Sequence, residues 1–120
     1  MSFRIVPVLA SALYVYAGFA SAADTNADKD VQQGRRLAII VCANCHVVAS
    51  DQPYEPILRP PAPSFQAIAQ GNTANADALR RYLTTLHLKV SHPEDMPNPQ
   101  LIDSQMKQVI AYLLSLRKQP

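Results

Sequence analysis

Cys42-Ala43-Asn44-Cys45-His46 is the stretch on which the reading of this chain turns. Its two cysteines are the only ones among 120 residues. On a helical turn, residues three apart project from one face, with about 5–6 Å between their Cβ atoms. His46 stands four after Cys42, so its imidazole points along that same face. One turn of chain therefore offers two thiols and an imidazole to a single flat object. Three other readings share part of the pattern. A thioredoxin-like pair follows a strand in an α/β fold, and this chain has no strand alternation. A structural zinc ion calls for four ligands, usually from a second paired motif, and there is none. A disulfide between cysteines three apart closes too short a loop to stabilise much.

Upstream, Val31 to about Cys42 reads as a helix, with Val31, Gly34, Leu37, Ala38 and Ile40–Val41 at helical spacing and Asp30 placed to cap it. Ala23 to Asp30 is polar and is expected to be a flexible N-terminus. Before that, Met1-Ser2-Phe3-Arg4 is basic, Ile5 to Phe19 is apolar and uncharged, and Ala20-Ser21-Ala22 is small. This is the layout of a secretory leader, cut after Ala22 or, alternatively, Ala23. As a bilayer span the run is short and interrupted by Pro7 and Gly18. Membrane attachment is expected only if the leader is retained. The division is a leader over 1–22, a flexible segment over 23–30 and one domain over 31–118.

Downstream, Val47 to Ala62 is a proline-rich loop of a length usually tied to function. Ser64 can cap a short helix, Phe65 to Gln70, ended by Gly71. Thr73 or Asn75 opens the next, with Leu79, Tyr82, Leu83 and Leu86 as its apolar stripe and a stop near Leu88, before Pro93. Met96-Pro97-Asn98-Pro99 cannot be helical. Asp103 is expected to cap a last helix to Arg117 that buries Val109, Ile110, Leu113 and Leu116. Arg117 and Lys118 are expected to sit at its negative end. The fold class is all-α, about four helices joined by proline-rich loops, with no sheet.

Composition narrows the function. A domain of about a hundred residues is only marginally stable, and the whole chain has no tryptophan and ten prolines. A net charge of +2, with Arg35-Arg36 and Arg80-Arg81 as isolated basic doublets inside the domain rather than a basic cluster, argues against nucleic acid. Each doublet reads as a solvated helix face. No nucleophile beside a base and no substrate pocket are evident, so no enzyme and no small-molecule substrate are expected.

The C-x-x-C-H run is the attachment signal for c-type haem. The Cys42 and Cys45 thiols add across two vinyl groups on one porphyrin edge, and His46 reaches the iron. Four residues could be the second axial ligand: Met96, Met106, His87 and His92. Met96 lies in an extended loop outside any apolar stripe, placed to lay a thioether over the ring. Met106 falls in the first turn of the last helix and reads as packing, His92 as a solvent-facing loop residue, His87 as a helix-end histidine. A His46/Met96 pair suits electron transfer, since thioether ligation raises the potential and favours ferrous iron.

Together these segments resemble class I cytochrome c, the mono-haem, His/Met-ligated family, in its short bacterial periplasmic form. Gly34 stands two helical turns before the first cysteine, where the family places a glycine. Ile110-Ala111-Tyr112-Leu113 resembles the C-terminal helix whose aromatic packs against that glycine. Pro63-Ser64-Phe65 resembles the segment in which a proline carbonyl accepts from the axial histidine, which assigns Pro63 to His46. Position 38 is alanine where many relatives carry an aromatic, and the lysine-rich face of mitochondrial members is missing. The resemblance implies the cytochrome c fold around one covalent haem c. It implies a periplasmic single-electron carrier cycling between ferric and ferrous iron, with transient redox partner proteins. An electron-transfer subunit of a periplasmic dehydrogenase and a haem-based gas sensor are the alternatives.

Overall fold

A computed structural model of the chain describes residues 22–85 and 96–118. The expected leader up to Ser21, and His87 and His92, lie outside the described residues. Four helices follow in order: α1 (Ala22–Val41), α2 (Phe65–Gln70), α3 (Ala76–Thr84) and α4 (Asp103–Ser115), with a 3₁₀ turn at Leu116–Lys118. Among the described residues there is no strand, only one isolated bridge between His46 and Ala62. The all-α expectation stands. None of these helices is long and apolar enough to cross a membrane.

The first helix begins earlier than its apolar spacing suggests. Residues 22–30 contain no glycine or proline to break it, and they are helical where a flexible segment was expected. Asp30 therefore lies within α1 and caps nothing; its half-buried carboxylate takes the Lys107 ammonium of α4 at 2.8 Å. The buried seam runs Gly34, Ala38, Cys42, with Val31 and Leu37 packed beside it. Ile40, two residues and about 200° from Ala38, faces outward with 71% of its surface exposed, and Val41 is also exposed. Helical spacing alone places both on the apolar face.

The main helix contact is α1 on α4. Gly34 makes it possible: a Cβ there would collide with the Gln108 carbonyl oxygen and stand 2.9 Å from Tyr112 Cβ. From α4 the seam receives Val109, Tyr112 and Leu113, with Leu116 just beyond its end, and Met106 and Ile110 are buried as well. Much of the remaining core is small, being Ala38, Ala43, Ala69 and Ala74.

The shorter helices follow local signals. Ser64 Oγ accepts from Ala67 N–H at 3.1 Å, and Gly71 closes α2. Asn75, of the two candidates, caps α3, accepting from Ala78 N–H at 2.9 Å. Leu79 packs on the core, but Tyr82 of the expected stripe is exposed, and Leu86 lies outside the described residues. Asp103 is the first residue of α4 rather than its cap. Gln105 instead reaches back, its Oε1 accepting from Ile102 N–H at 3.1 Å, while Asp103 takes Arg80 at 3.4 Å. Arg117 does not serve the end of its own helix. Its Nε donates to Ala69 O at 2.8 Å and Nη2 to Gly71 O at 3.3 Å, covering carbonyls at the end of α2.

Candidate functional site

Cys42 continues the α1 ladder, its N–H donating to Ala38 O at 2.8 Å. The helix then widens, because Ala43 N–H returns to the same Ala38 oxygen at 3.1 Å. Ile39 O, thereby left without its helical donor, accepts the Tyr54 hydroxyl at 2.8 Å. One further turn closes the motif. Cys45 N–H and His46 N–H both donate to Cys42 O, at 3.1 and 2.9 Å.

The loop over 47–62 folds back on that turn and donates to two of its carbonyls. Asn44 O accepts from Ile57 N–H at 2.9 Å, Cys45 O from Ala62 N–H at 2.9 Å, and Val47 O from Phe65 N–H at 2.9 Å. Val48 is held from both sides: its N–H donates to Gln52 Oε1 at 2.8 Å, and its carbonyl accepts the Tyr112 hydroxyl at 2.7 Å. Arg35 anchors the loop's far shoulder through Asp51 at 2.6 Å. Its guanidinium holds the Asp51 carboxyl below its ordinary value, by a hydrogen bond first and by charge as well. Burial raises the Tyr112 phenol.

His46 is buried and its Nδ1 lies 2.7 Å from Pro63 O. A carbonyl only accepts, so Nδ1 carries the proton and Nε2 presents its lone pair. Among the described residues nothing else hydrogen-bonds the ring. A buried ring nitrogen with a lone pair and no donor is suited to a metal. Both cysteines are free thiols, Cys42 buried and Cys45 half-buried. Burial, and then the neighbouring Cys45, push the Cys42 thiol up to about 11. Among the described residues no set of three His, Cys, Asp or Glu side chains converges as the ligands of one bare ion would. Two thiols on one turn, and an imidazole with a free Nε2 that does not converge with them, fit a planar macrocycle bonded at its edge and ligated at its centre.

Met96 is half-buried and outside any helix, at the start of the extended segment leading into α4. Among the described residues, no hydrogen bond or ring contact joins it to His46. The segment is shaped by Asn98, whose Oδ1 accepts from Gln100 N–H at 2.8 Å, with Gln100 at a φ of 52°. Met106 is 2% exposed, as a packing residue should be. Sequence reasoning missed Phe65, whose ring meets His46 edge-on, and the Tyr54, Gln52 and Tyr112 contacts that hold the loop. Apart from Gln52, whose partners lie within four residues, these are side chains reaching across long sequence separations, which local pattern does not encode.

The family model described as Cytochrome c matches residues 31–117. No curated protein and no solved structure matches the chain. With most of its length so matched, the chain belongs to the cytochrome c family. It carries covalently bound haem c, transfers electrons through it, and exchanges them with redox partner proteins.

Proposed function

We propose that the chain is an exported single-electron carrier. In this reading Cys42 and Cys45 form the thioethers, His46 and Met96 are the axial ligands, and the Pro63 carbonyl orients His46. The observation that carries the reading is the buried His46 ring, with Nδ1 committed to Pro63 O at 2.7 Å, one turn from two free thiols. Bound haem supplies one-electron exchange between ferric and ferrous iron with no atom transferred. The protein's own part is to hold still. Pro63 O keeps the Nδ1 proton, which fixes the imidazole's tautomer and raises its basicity. The Met96 thioether, soft and neutral, favours the ferrous side. The loop over 47–62 donates to the Asn44 and Cys45 carbonyls and so braces the motif. Export follows from the basic, apolar and small-residue order of 1–22. With both axial positions held by protein, the chain acts as a carrier rather than an enzyme, and its encounters are transient.

Denaturing mass spectrometry of cell-matured protein tests attachment, with the expected result a haem-bearing chain beginning at Ala23 or Asp24, recovered from the periplasm. Met96→His should keep the haem and lower the midpoint potential by a sizeable part of the roughly 0.8 V range that axial ligation spans. Met96→Ala should open the ferrous form to carbon monoxide. A Met96→Ala protein with unchanged spectrum and potential would assign the sixth position elsewhere.

A further inference from the structure

His46 is restrained by more than its hydrogen bond. The Phe65 ring stands edge-on to the imidazole, centroids 5.8 Å apart at 65°. Phe65 cannot drift, because its own N–H is held by Val47 O at 2.9 Å and its far side meets Tyr112 at 6.2 Å. Phe65 and Tyr112 are each 4% exposed. Tyr112 also acts on the other flank of the motif: its hydroxyl donates to Val48 O at 2.7 Å, two residues past His46. The Tyr112 ring is itself set by the helix crossing, since its Cβ lies where any side chain at Gly34 would press. One residue of α4 thus touches both what backs the imidazole and the backbone that carries it.

We propose that Tyr112 is a positioning residue for the axial imidazole, fixing its ring plane through Phe65 and its backbone through the Val48 carbonyl. The inference rests on His46 being the axial ligand. A hydrogen bond at Nδ1 alone restrains the ring at one atom and leaves rotation about that contact soft. A second contact against the ring edge removes that freedom. Tyr112, rather than the α1–α4 seam at large, thereby links helix packing to the orientation of His46.

The test uses the haem-bearing protein in its ferric state. The proton spectrum's hyperfine-shifted haem methyl resonances report the orientation of the axial ring. Phe65→Leu and Tyr112→Leu should reorder or re-space those methyls and shift the midpoint potential. Tyr112→Phe keeps the ring pair and loses the hydroxyl bond, so it should give a smaller shift of the methyls. Val109→Ala, a core deletion on the same helix, should lower the melting temperature and leave the methyl pattern as in the parent. If the Phe65 and Tyr112 variants behave like Val109→Ala, the inference is overturned. Movement with Phe65→Leu alone would remove Tyr112 from the role. Should Tyr112→Leu fail to fold, Phe65→Leu and Tyr112→Phe decide the matter. Absence of His46 ring protons among the parent's shifted resonances would instead reject the axial assignment itself.

Discussion

Asp51 and Arg35 show how little a short ion pair says until its exposure is known. The two meet at 2.6 Å, yet 75% of the Asp51 side chain is open to solvent. Water screens such a pair, and its contribution to stability is small. Its sign is still definite. Arg35 lowers the folded-state value of Asp51, so the pair's contribution is complete above the ordinary carboxylate value of about 3.9 and is lost as pH falls through the lower, folded one. Urea midpoints of Asp51→Asn should sit slightly below the parent's from pH 5 to 8 and converge with them in acid. A gap that widened in acid would mean that the carboxylate does something other than pair with Arg35. His46 is the opposite case. It is buried, and its tautomer is dictated by Pro63 O. Pro63 was identified by resemblance, and the 2.7 Å contact picks it out from neighbouring Pro60 and Pro61.

Among the elements, the crossing of α1 and α4 sets the frame, and Gly34 is where it is most sensitive. In an isolated exposed helix, Gly→Ala stabilises by about 1 kcal/mol. Here the added methyl meets the Gln108 carbonyl, a backbone atom that cannot step aside without moving α4. Gly34→Ala should therefore destabilise by about 3 kcal/mol, read as a lowered denaturation midpoint. A stabilised variant would show that the helices separate at little cost. The elements also exchange services that no helix performs for itself. Tyr54 supplies a donor to α1, and Arg117, expected to serve its own helix end, covers carbonyls at the end of α2 instead. Caps formed by neighbours in sequence, Ser64 and Asn75, were foreseeable; those formed across 15 or 48 residues were not.

For the molecule as a whole, the notable feature is a thin core. Among the described residues of the core, Val48, Met106 and Val109 are the only side chains larger than alanine that are at most 2% exposed, and four alanines fill much of the rest. Ile40, Val47, Ile57 and Leu58 stay exposed. A group bound only by the folded state stabilises it, so a Cys42→Ala/Cys45→Ala protein, which on the proposed assignment cannot attach haem, should melt lower and less cooperatively and bind a hydrophobic dye. Parent-like melting would mean that the polypeptide's own packing suffices. The amino-acid sequence by itself determined the spacing of the two cysteines and the histidine, the helical class, the order of the helices and the caps at Ser64 and Asn75, because each depends on residues within one or two turns of one another. Only the tertiary structure decided that Asp30 serves α4, that Ile40 faces out, that Arg117 reaches α2, and that Phe65 meets His46 and is met in turn by Tyr112. Those outcomes depend on the angle and height at which helices cross, and that is set by the sum of contacts between distant segments.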